Sequence, residues 1–565
     1  MQGHRKERED MEKKTKYYVV REKAVPEVLL KVVEAKRILD SERATTVQEA
    51  TEQVGISRSS FYKYKDDIFP FHDQAKGRTV TFILQMDDKP GILSDILHTV
   101  AEFRGNILTI HQSIPINGIA TLTLSVEILP EAGDAEDMIG QMEQQTGVHY
   151  LKILGRESKQ MIQIAVLGYG TVGSGVVEVI NRNQESINKK AGEEINIKYV
   201  LDLRDFPGDP VQEKIVHDYE VIANDPEIKI VVEVMGGTNP AYTFVKRALE
   251  SGKSVCTSNK ELVAKHGVEL IRIAKEKNCN FLFEASCGGG IPIIRPLNCS
   301  LTADEVDEIS GILNGTTNYI LSKMTSDGSE FEDVLKNAQE LGYAERNPAA
   351  DIEGWDACRK IAILSSLAYG HHVDFEEIYT EGITKITSAD IRYAKAFGAT
   401  IKLLASSKRI GDKYYAMVCP VMINGDSPLF SVNDVFNAIV IHGNMLGDAM
   451  FYGSGAGKLP TASAVVADVV DAAKHLNRFI MTGWSSEKLE MIDVSQVESR
   501  FFVRMKGSYT ESLAKVEEVF GTIDAKVVAE VGKEFGFITS KMKEEEYRAK
   551  AAQFDNIIGM IRVRF

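Results

Sequence analysis

Ile164-Ala165-Val166-Leu167-Gly168-Tyr169-Gly170-Thr171-Val172-Gly173 is the stretch whose reading decides the fold. An apolar run of strand length feeds a G-x-G-x-x-G turn, and the turn opens a helix predicted over 172–180. The glycine pattern alone says little; set between a strand and a helix it marks a dinucleotide site. Gly168 allows the tight turn, Gly170 lets backbone approach a pyrophosphate, and Gly173 lets helix and strand pack closely. The helix start adds free N–H groups and positive potential for the anion. The predicted site is therefore Gly168, Tyr169, Gly170, Thr171, Val172 and Gly173.

Outward from this turn, residues 161–295 alternate strands and helices. The strands predicted over 163–167, 197–201, 230–234 and 254–257 are mostly continuous apolar runs. Such runs imply burial on both faces, as in a parallel sheet between two helical layers. The second strand ends Leu201-Asp202-Leu203-Arg204. Asp202 in that position can hold a ribose 2′-hydroxyl, favouring NAD, whereas Arg204 can meet the 2′-phosphate of NADP. Both readings stay open. A second phosphate loop at Gly457-Lys458 is excluded, because Tyr452 stands where its first glycine belongs and Leu459 replaces Ser or Thr.

The flanks divide by pattern. Residues 1–16 are a polar tail. Residues 17–72 read as helices: Pro26 suits a first turn, Val28, Leu29, Val32, Val33 and Leu39 keep a helical period, Thr46 and Glu49 form a capping pair, Gly55 stops that helix, and Ser57 caps the next. Residues 78–155 follow the order βαββαβ, a ferredoxin-like plan, and 499–565 repeat it more weakly, with a second strand predicted over 525–531. Between lie 296–455, of mixed α+β pattern, and a return segment, 456–495.

Composition bounds the rest. The chain has 565 residues, 44% hydrophobic and 26% charged, enough for about three to five folded units. Its net charge of -15 repels phosphate backbones at long range, which disfavours nucleic acid. Six cysteines form no CxxC pair, so neither a zinc cluster nor a disulfide framework is expected. No apolar run reaches membrane-spanning length and no signal-peptide pattern opens the sequence, so a cytoplasmic protein is expected.

The chemistry-bearing stretch is Gly342-Tyr343-Ala344-Glu345-Arg346-Asn347-Pro348-Ala349-Ala350-Asp351-Ile352-Glu353-Gly354-Trp355-Asp356-Ala357-Cys358-Arg359-Lys360. Asp356 and Lys360 are i, i+4 on a predicted helix and share a face. A surface ion pair would look the same; a positioned lysine can also relay a proton to a carbonyl reduced by hydride.

With that stretch included, six blocks resemble homoserine dehydrogenases. The others are Val232-Glu233-Val234-Met235-Gly236-Gly237, Thr257-Ser258-Asn259-Lys260, Glu284-Ala285-Ser286-Cys287-Gly288-Gly289-Gly290-Ile291-Pro292, Gly311-Ile312-Leu313-Asn314-Gly315-Thr316-Thr317-Asn318-Tyr319-Ile320-Leu321 and Tyr452-Gly453-Ser454-Gly455-Ala456-Gly457-Lys458-Leu459-Pro460-Thr461. The resemblance spans about 161–495. It implies NAD(P)-dependent interconversion of L-aspartate 4-semialdehyde and L-homoserine, on the route to threonine, methionine and isoleucine. It makes Lys360 and Lys260 the proton-relay lysines, a role that calls for desolvation or cationic neighbours to lower a lysine pKa. It makes Glu345 and Asp356 the holders of the substrate's amino and hydroxyl ends, with Gly315, Thr316, Tyr343 and Asp351 lining the pocket. Asn259 and Gly236-Gly237 fall on the nicotinamide side, with Gly455 on the segment that closes over the cofactor. It also implies a sodium ion at Glu284, Cys287, Gly289 and Ile291, a doubly wound Rossmann domain joined to an α+β catalytic and dimerisation domain, and a homodimer or homotetramer.

Residues 78–155 resemble an ACT domain, whose effector turn matches Asp88, Pro90, Gly91, Ile92 and Asn106; this implies an amino-acid effector. At 499–565 the equivalent turn is Lys506-Gly507-Ser508-Tyr509-Thr510, which departs from the ACT pattern. Two rival readings remain: Cys287 as the nucleophile of an aldehyde-oxidising enzyme, and 47–65 as a helix-turn-helix presenting Arg58, Lys63 and Lys65 to DNA.

Overall fold

A computed structural model of the chain describes residues 26–40, 46–64, 78–115, 118–128, 135–157, 161–528 and 531–565. The chain forms two compact units, 1–158 and 159–565. The predicted polar tail, 1–16, and Lys65 lie outside the described residues.

Among the described residues of the first unit three short helices come first: α1 (Glu27–Asp40), α2 (Val47–Val54) and α3 (Arg58–Tyr64). The Thr46 hydroxyl accepts the Glu49 N–H at 3.2 Å, and Gly55 ends α2 in the left-handed conformation at φ 69°. Val32, Ala35, Ala50 and Phe61 make their small core. A four-stranded antiparallel sheet follows, built from β1 (Arg78–Asp87), β2 (Asn106–Gln112), β3 (Ile119–Ile128) and β4 (Val148–Glu157) in the order β2-β3-β1-β4. Helices α4 (Ile92–Glu102) and α5 (Ala135–Glu143) complete the βαββαβ order. Alternation along β3 puts Ala120, Leu122, Leu124, Val126 and Ile128 in one core with Ile96, Val100, Met138 and Met142 of the helices.

The second unit begins with the predicted parallel sheet. Its strands are β5 (Ile162–Leu167), β6 (Ile195–Leu201), β7 (Ile215–Val216), β8 (Ile228–Glu233), β9 (Ser254–Thr257) and β10 (Phe281–Leu282), ordered β10-β9-β8-β5-β6-β7. Helices α6 (Thr171–Arg182), α7 (Gln184–Ala191), α8 (Tyr219–Ala223), α9 (Ala241–Glu250) and α10 (Lys260–Glu276) connect them. The strand order reverses beside β5, which places a crevice at the carboxyl ends of β5, β6 and β8.

The catalytic half runs β11 (Val306–Ile312), α11 (Gly315–Asp327), α12 (Phe331–Glu340), α13 (Ala349–Ile352), α14 (Trp355–Tyr369), β12 (Tyr379–Thr380), α15 (Ser388–Ala396), β13 (Ala399–Ile410), β14 (Lys413–Asn424), β15 (Phe436–Gly443) and β16 (Gly447–Ser454). Helix α16 (Lys458–Lys474) then returns to pack on α6, where a side chain at Gly175 would stand 2.8 Å from the Lys458 carbonyl oxygen.

The last segment forms β17 (Glu498–Lys506), α17 (Tyr509–Phe520), β18 (Asp524–Lys526), β19 (Glu534–Ile538), β20 (Met542–Lys543), α18 (Glu544–Ala551) and β21 (Ile557–Arg564). Its sheet continues that of the catalytic half: β21 pairs in parallel with β14, Arg562 opposite Val421 and Arg564 opposite Ile423. Phe501-Phe502-Val503 shows why. Phe501 and Val503 pack under Phe520 and Tyr547 of α17 and α18, while Phe502 faces the other way into the catalytic core beside Tyr393 and Phe397. A strand buried on both faces carries consecutive apolar residues. The second strand here is shorter than the sequence suggests: β18 stops where its pairing with β19 ends, Lys526 opposite Gly536, and Val527 is exposed.

Candidate active site

The turn after β5 has the predicted geometry. Gly168 adopts φ 99°, and a Cβ there would press on Met235 and the Val234 carbonyl. A Cβ on Gly173 would stand 1.9 Å from the Gly168 carbonyl oxygen, so only glycine lets α6 start this close to the strand. Gly170 caps α6 and has open space where a Cβ would sit. The first turn of α6 therefore offers unpaired N–H groups beside bare backbone.

Asp202 and Arg204 meet at the end of β6. Asp202 Oδ1 accepts the Arg204 backbone N–H at 3.0 Å and its Nε at 2.9 Å; Oδ2 accepts the Tyr169 N–H at 2.9 Å and Arg204 Nη2 at 3.0 Å. These guanidinium and backbone bonds outweigh burial and hold the carboxyl well below the usual range. Four donors fill the acceptor sites of one carboxylate. The guanidinium packs over the Phe206 ring at 5.1 Å and stays largely exposed.

At the end of β8 a buried carboxylate, Glu233, accepts the Thr257 hydroxyl at 2.6 Å and the Met235 N–H at 2.8 Å. It ties β9 to the Gly236-Gly237 turn, whose residues sit at φ 81° and 69°. Asn259 donates to the Gly237 carbonyl at 2.6 Å, and its oxygen caps α10 on the Leu262 N–H. Lys260, the next residue, thus starts its helix at the carboxyl edge of the parallel sheet and reaches across to the catalytic half.

There it meets Asp356, which is 3% exposed in the first turn of α14. Lys260 pairs with Asp356 Oδ1; Lys360, one turn along α14, donates to Oδ2 at 2.7 Å and to the Leu313 carbonyl at 2.7 Å. Asn314 donates through one Nδ2 to Asp356 at 2.9 Å and to Asp351 at 2.7 Å. Burial pushes the Asp356 pKa up, but the two ammoniums and Asn314 overcome it and hold the group ionised. Asp351 is pushed up by burial and by the Asp356 charge. The Asp356 charge also raises Lys260, against the opposing effect of burial. This corrects the sequence expectation of a lowered lysine pKa for Lys260, because a shared carboxylate decides its environment.

The other pocket residues are placed around this cluster with one departure. Gly315 begins α11 where a Cβ would stand 2.7 Å from the Val435 carbonyl, and the Thr316 hydroxyl donates to the Tyr343 carbonyl at 2.7 Å. Tyr343 packs edge-on against Tyr319 and remains exposed. Glu345 is not bonded to the lysine pair among the described residues: its side chain is exposed and its carbonyl accepts from Gln339. Gly455 is wedged against the Asn437 amide, and Gly289 against the Gly455 carbonyl.

Glu284, the side chain expected to hold sodium, is buried. Its carboxylate accepts the N–H groups of Ile293 at 2.6 Å, Ile294 at 2.8 Å and Arg295 at 2.8 Å. Among the described residues no group of three or more His, Cys, Asp or Glu is placed to hold a metal, and the carbonyls of Cys287, Gly289 and Ile291 accept no backbone hydrogen bond. Cys287 is fully buried, and burial pushes its thiol up to about 12, which removes it as a nucleophile.

In the first unit, Gly91 opens α4 at φ 104°, beside exposed Asp88 and Pro90, with Ile92 half-buried; the Asp88 N–H bonds the Gly118 carbonyl, and Asn106 donates to Glu127 at 3.3 Å. Arg58 and Lys63 are exposed on α3, Lys63 lying over the Tyr64 ring. Sequence reasoning missed Asn314, Glu233 and the ion pairs of Arg295 with Asp468 and Asp471. Asn314 carried a readable signal, an Asn directly before a helix, since its side chain also caps α11 on the Thr317 N–H at 2.8 Å. The long-range carboxylates carried none.

Comparison with known proteins agrees with this layout. Family models described as homoserine dehydrogenase, as the NAD binding domain of homoserine dehydrogenase, and as an ACT domain match residues 292–470, 168–284 and 79–138. The chain is 40% identical over 371 residues to the homoserine dehydrogenase of Bacillus subtilis, covering 64% of this chain and 84% of that protein. With the Pseudomonas aeruginosa homoserine dehydrogenase the identity is 38% over 412 residues, covering 71% and 91%. The crystal structure of a homoserine dehydrogenase from Thiobacillus denitrificans superposes with a TM-score of 0.67 at 36% identity, covering 72% of this chain and 98% of that one.

Replacing Gly173 with valine should abolish dinucleotide binding, measured by fluorescence titration, while circular dichroism stays native. Binding within twofold of the parent, on the order of experimental error, would contradict the close-approach role given to this glycine.

Proposed function

Since the chain belongs to the homoserine dehydrogenase family, we propose how its own residues divide the work of that reaction. The enzyme interconverts L-aspartate 4-semialdehyde and L-homoserine with NAD or NADP. When bound, the nicotinamide supplies the hydride in one direction and accepts it in the other.

Lys260 and Lys360 manage the proton at the substrate's C4 oxygen. Lys260, half-exposed toward the cleft and kept protonated by Asp356, holds a proton ready for the aldehyde oxygen. Lys360 is fixed by Asp356 and the Leu313 carbonyl, and among the described residues no third acceptor is bonded to it. Asp356 sets the spacing of both ammoniums and receives the hydroxyl end of the substrate between them. Asp351 and Glu345 take the substrate's ammonium; Glu345, exposed and without a described side-chain partner, is free to close on it. Gly315, Thr316 and Tyr343 shape the pocket wall. The observation that carries this reading is the single buried carboxylate shared by two lysines, one from each half of the enzyme. A Lys360→Ala variant should lose about 10²- to 10⁴-fold in kcat for homoserine oxidation, with dinucleotide binding intact. Near-normal turnover would remove the role.

The cofactor reading turns on Arg204. While its guanidinium occupies Asp202, that carboxylate has no acceptor left for a ribose hydroxyl, whereas the exposed cation can receive a 2′-phosphate. NADP is therefore the proposed partner. Arg204→Ser should raise KM for NADP about 10- to 150-fold, as expected for one lost charged hydrogen bond, and leave KM for NAD equal or lower. An unchanged NADP KM would overturn the preference.

A sodium ion at the 284–291 turn would use the carbonyls of Cys287, Gly289 and Ile291 and the acceptor site left on Glu284, whose carboxylate already takes three N–H groups. No step above depends on it. For the ACT unit we propose an amino-acid effector whose carboxylate meets the free N–H groups at the start of α4, beside Asp88, Pro90, Gly91, Ile92 and Asn106. The corresponding turn of the last segment is closed by its own groups: the Gly507 N–H bonds Lys533, and Asn556 bonds the Lys506 carbonyl at 2.6 Å. A homodimer or homotetramer fits the apolar residues Phe436, Leu446, Met450 and Tyr452 left exposed on β15, β16 and their connecting turn. Among the described residues no helix is long and apolar enough to cross a membrane.

A further inference from the structure

Arg562 lies in the last strand, yet it is 3% exposed and touches neither the cofactor turn nor the lysine pair. Its Nε and Nη2 donate to the two oxygens of Glu544, both at 2.9 Å, and its Nη1 donates to Glu381 Oε2 at 3.0 Å. Glu544 is itself 2% exposed at the start of α18. The Tyr379 ring stacks under the guanidinium at 4.8 Å, and the Tyr379 hydroxyl donates to the same Glu381 oxygen at 3.1 Å. Arg562 thus clamps a short strap, 379–383, onto the C-terminal segment. A planar fork with fixed donors suits such a double clamp better than a flexible ammonium would.

The strap presses on the substrate side. The Glu381 N–H bonds the Val418 carbonyl at 2.8 Å and the Ile383 N–H bonds the Ile352 carbonyl at 2.8 Å. A Cβ at Gly382 would stand 2.1 Å from the Ile352 oxygen, and one at Gly354 would stand 3.1 Å from Thr380. Between these contacts the chain turns from α13 to α14, with Gly354 at φ 89°. Asp351 is one residue before that corner and Asp356 two residues after it.

We propose that Arg562 is a positioning residue for homoserine: through Glu381 and the 379–383 strap it fixes the 352–354 corner and hence the spacing of Asp351 and Asp356. The C-terminal segment then serves the reaction as part of the substrate pocket's frame. This rests on the substrate roles given above to Asp351 and Asp356.

The test uses the full-length enzyme and separates homoserine KM from dinucleotide affinity, because the dinucleotide turn lies outside the clamp. Arg562→Met should raise KM for homoserine at least about tenfold while the dinucleotide Kd stays within about twofold. Glu381→Gln should give the same split, and the double variant should be no worse than the poorer single one, since both break one clamp. Equal losses in homoserine KM and dinucleotide affinity would show a merely structural residue and overturn the proposal, as would an unchanged homoserine KM. Should Arg562→Met fail to fold, Tyr379→Phe, which removes one hydroxyl, carries the test: a KM raised about two- to tenfold supports the clamp and a parental KM overturns it. Asp351→Asn keeps the two readings apart. A parental homoserine KM there removes Asp351 from the substrate whatever Arg562→Met does; a raised one beside an unchanged Arg562→Met overturns the clamp alone.

Discussion

A buried carboxylate shared by two ammoniums is the constraint on which the catalytic unit depends. Ionised Asp356 could not stay buried without partners of opposite charge, because desolvation of a lone carboxylate is strongly unfavourable. Lys260 and Lys360 supply them, and Asn314 adds a neutral donor that also quiets the repulsion between Asp356 and Asp351. Asp356 gains further from its place in the first turn of α14, where the helix dipole favours negative charge. Every element at the site meets this condition. Helix α10 must begin at the parallel sheet's edge so that Lys260 reaches across, and β11 must end so that the Leu313 carbonyl receives Lys360. The resulting arrangement sets a lysine of the dinucleotide half against the carboxylate of the substrate half, where the proton that accompanies hydride transfer must be handled.

Much of this was legible in the residues. The strand–turn–helix around Gly168 could be read because glycine conformation and apolar periodicity are local properties, and the structure places Gly173 within 1.9 Å of a would-be clash. The βαββαβ order of the first unit was legible for the same reason. Asp356 and Lys360 share a helix face by spacing alone. Their meeting with Lys260, almost a hundred positions earlier, was not a local property; only resemblance pointed to it. Resemblance likewise gave no sign of the three N–H groups that the Glu284 carboxylate accepts. The pKa expectation for Lys260 failed because sequence gives neighbours along the chain and says nothing about a carboxylate arriving from another domain.

The C-terminal segment shows what a shared plan conceals. By pattern it looks like a weaker copy of the unit near the front. Yet Phe502, one position out of phase with Phe501 and Val503, turns its strand into a two-sided one, and β21 docks on β14. The buried fork of Arg562 on Glu544 and Glu381 follows from that docking. Such a pair costs much to bury and much to break, so it specifies one arrangement of segment and pocket more than it adds net stability.

The shared carboxylate is probed most closely by the pH dependence of kcat for homoserine oxidation in the parent and in Asp356→Asn. Oxidation needs a neutral amine to take the hydroxyl proton. The Asp356 charge raises the Lys260 pKa, so activity should climb as pH rises into the alkaline range. Removing that charge lowers the lysine pKa, and the rising limb should move to lower pH. A limb that stays in place or moves upward would contradict the account.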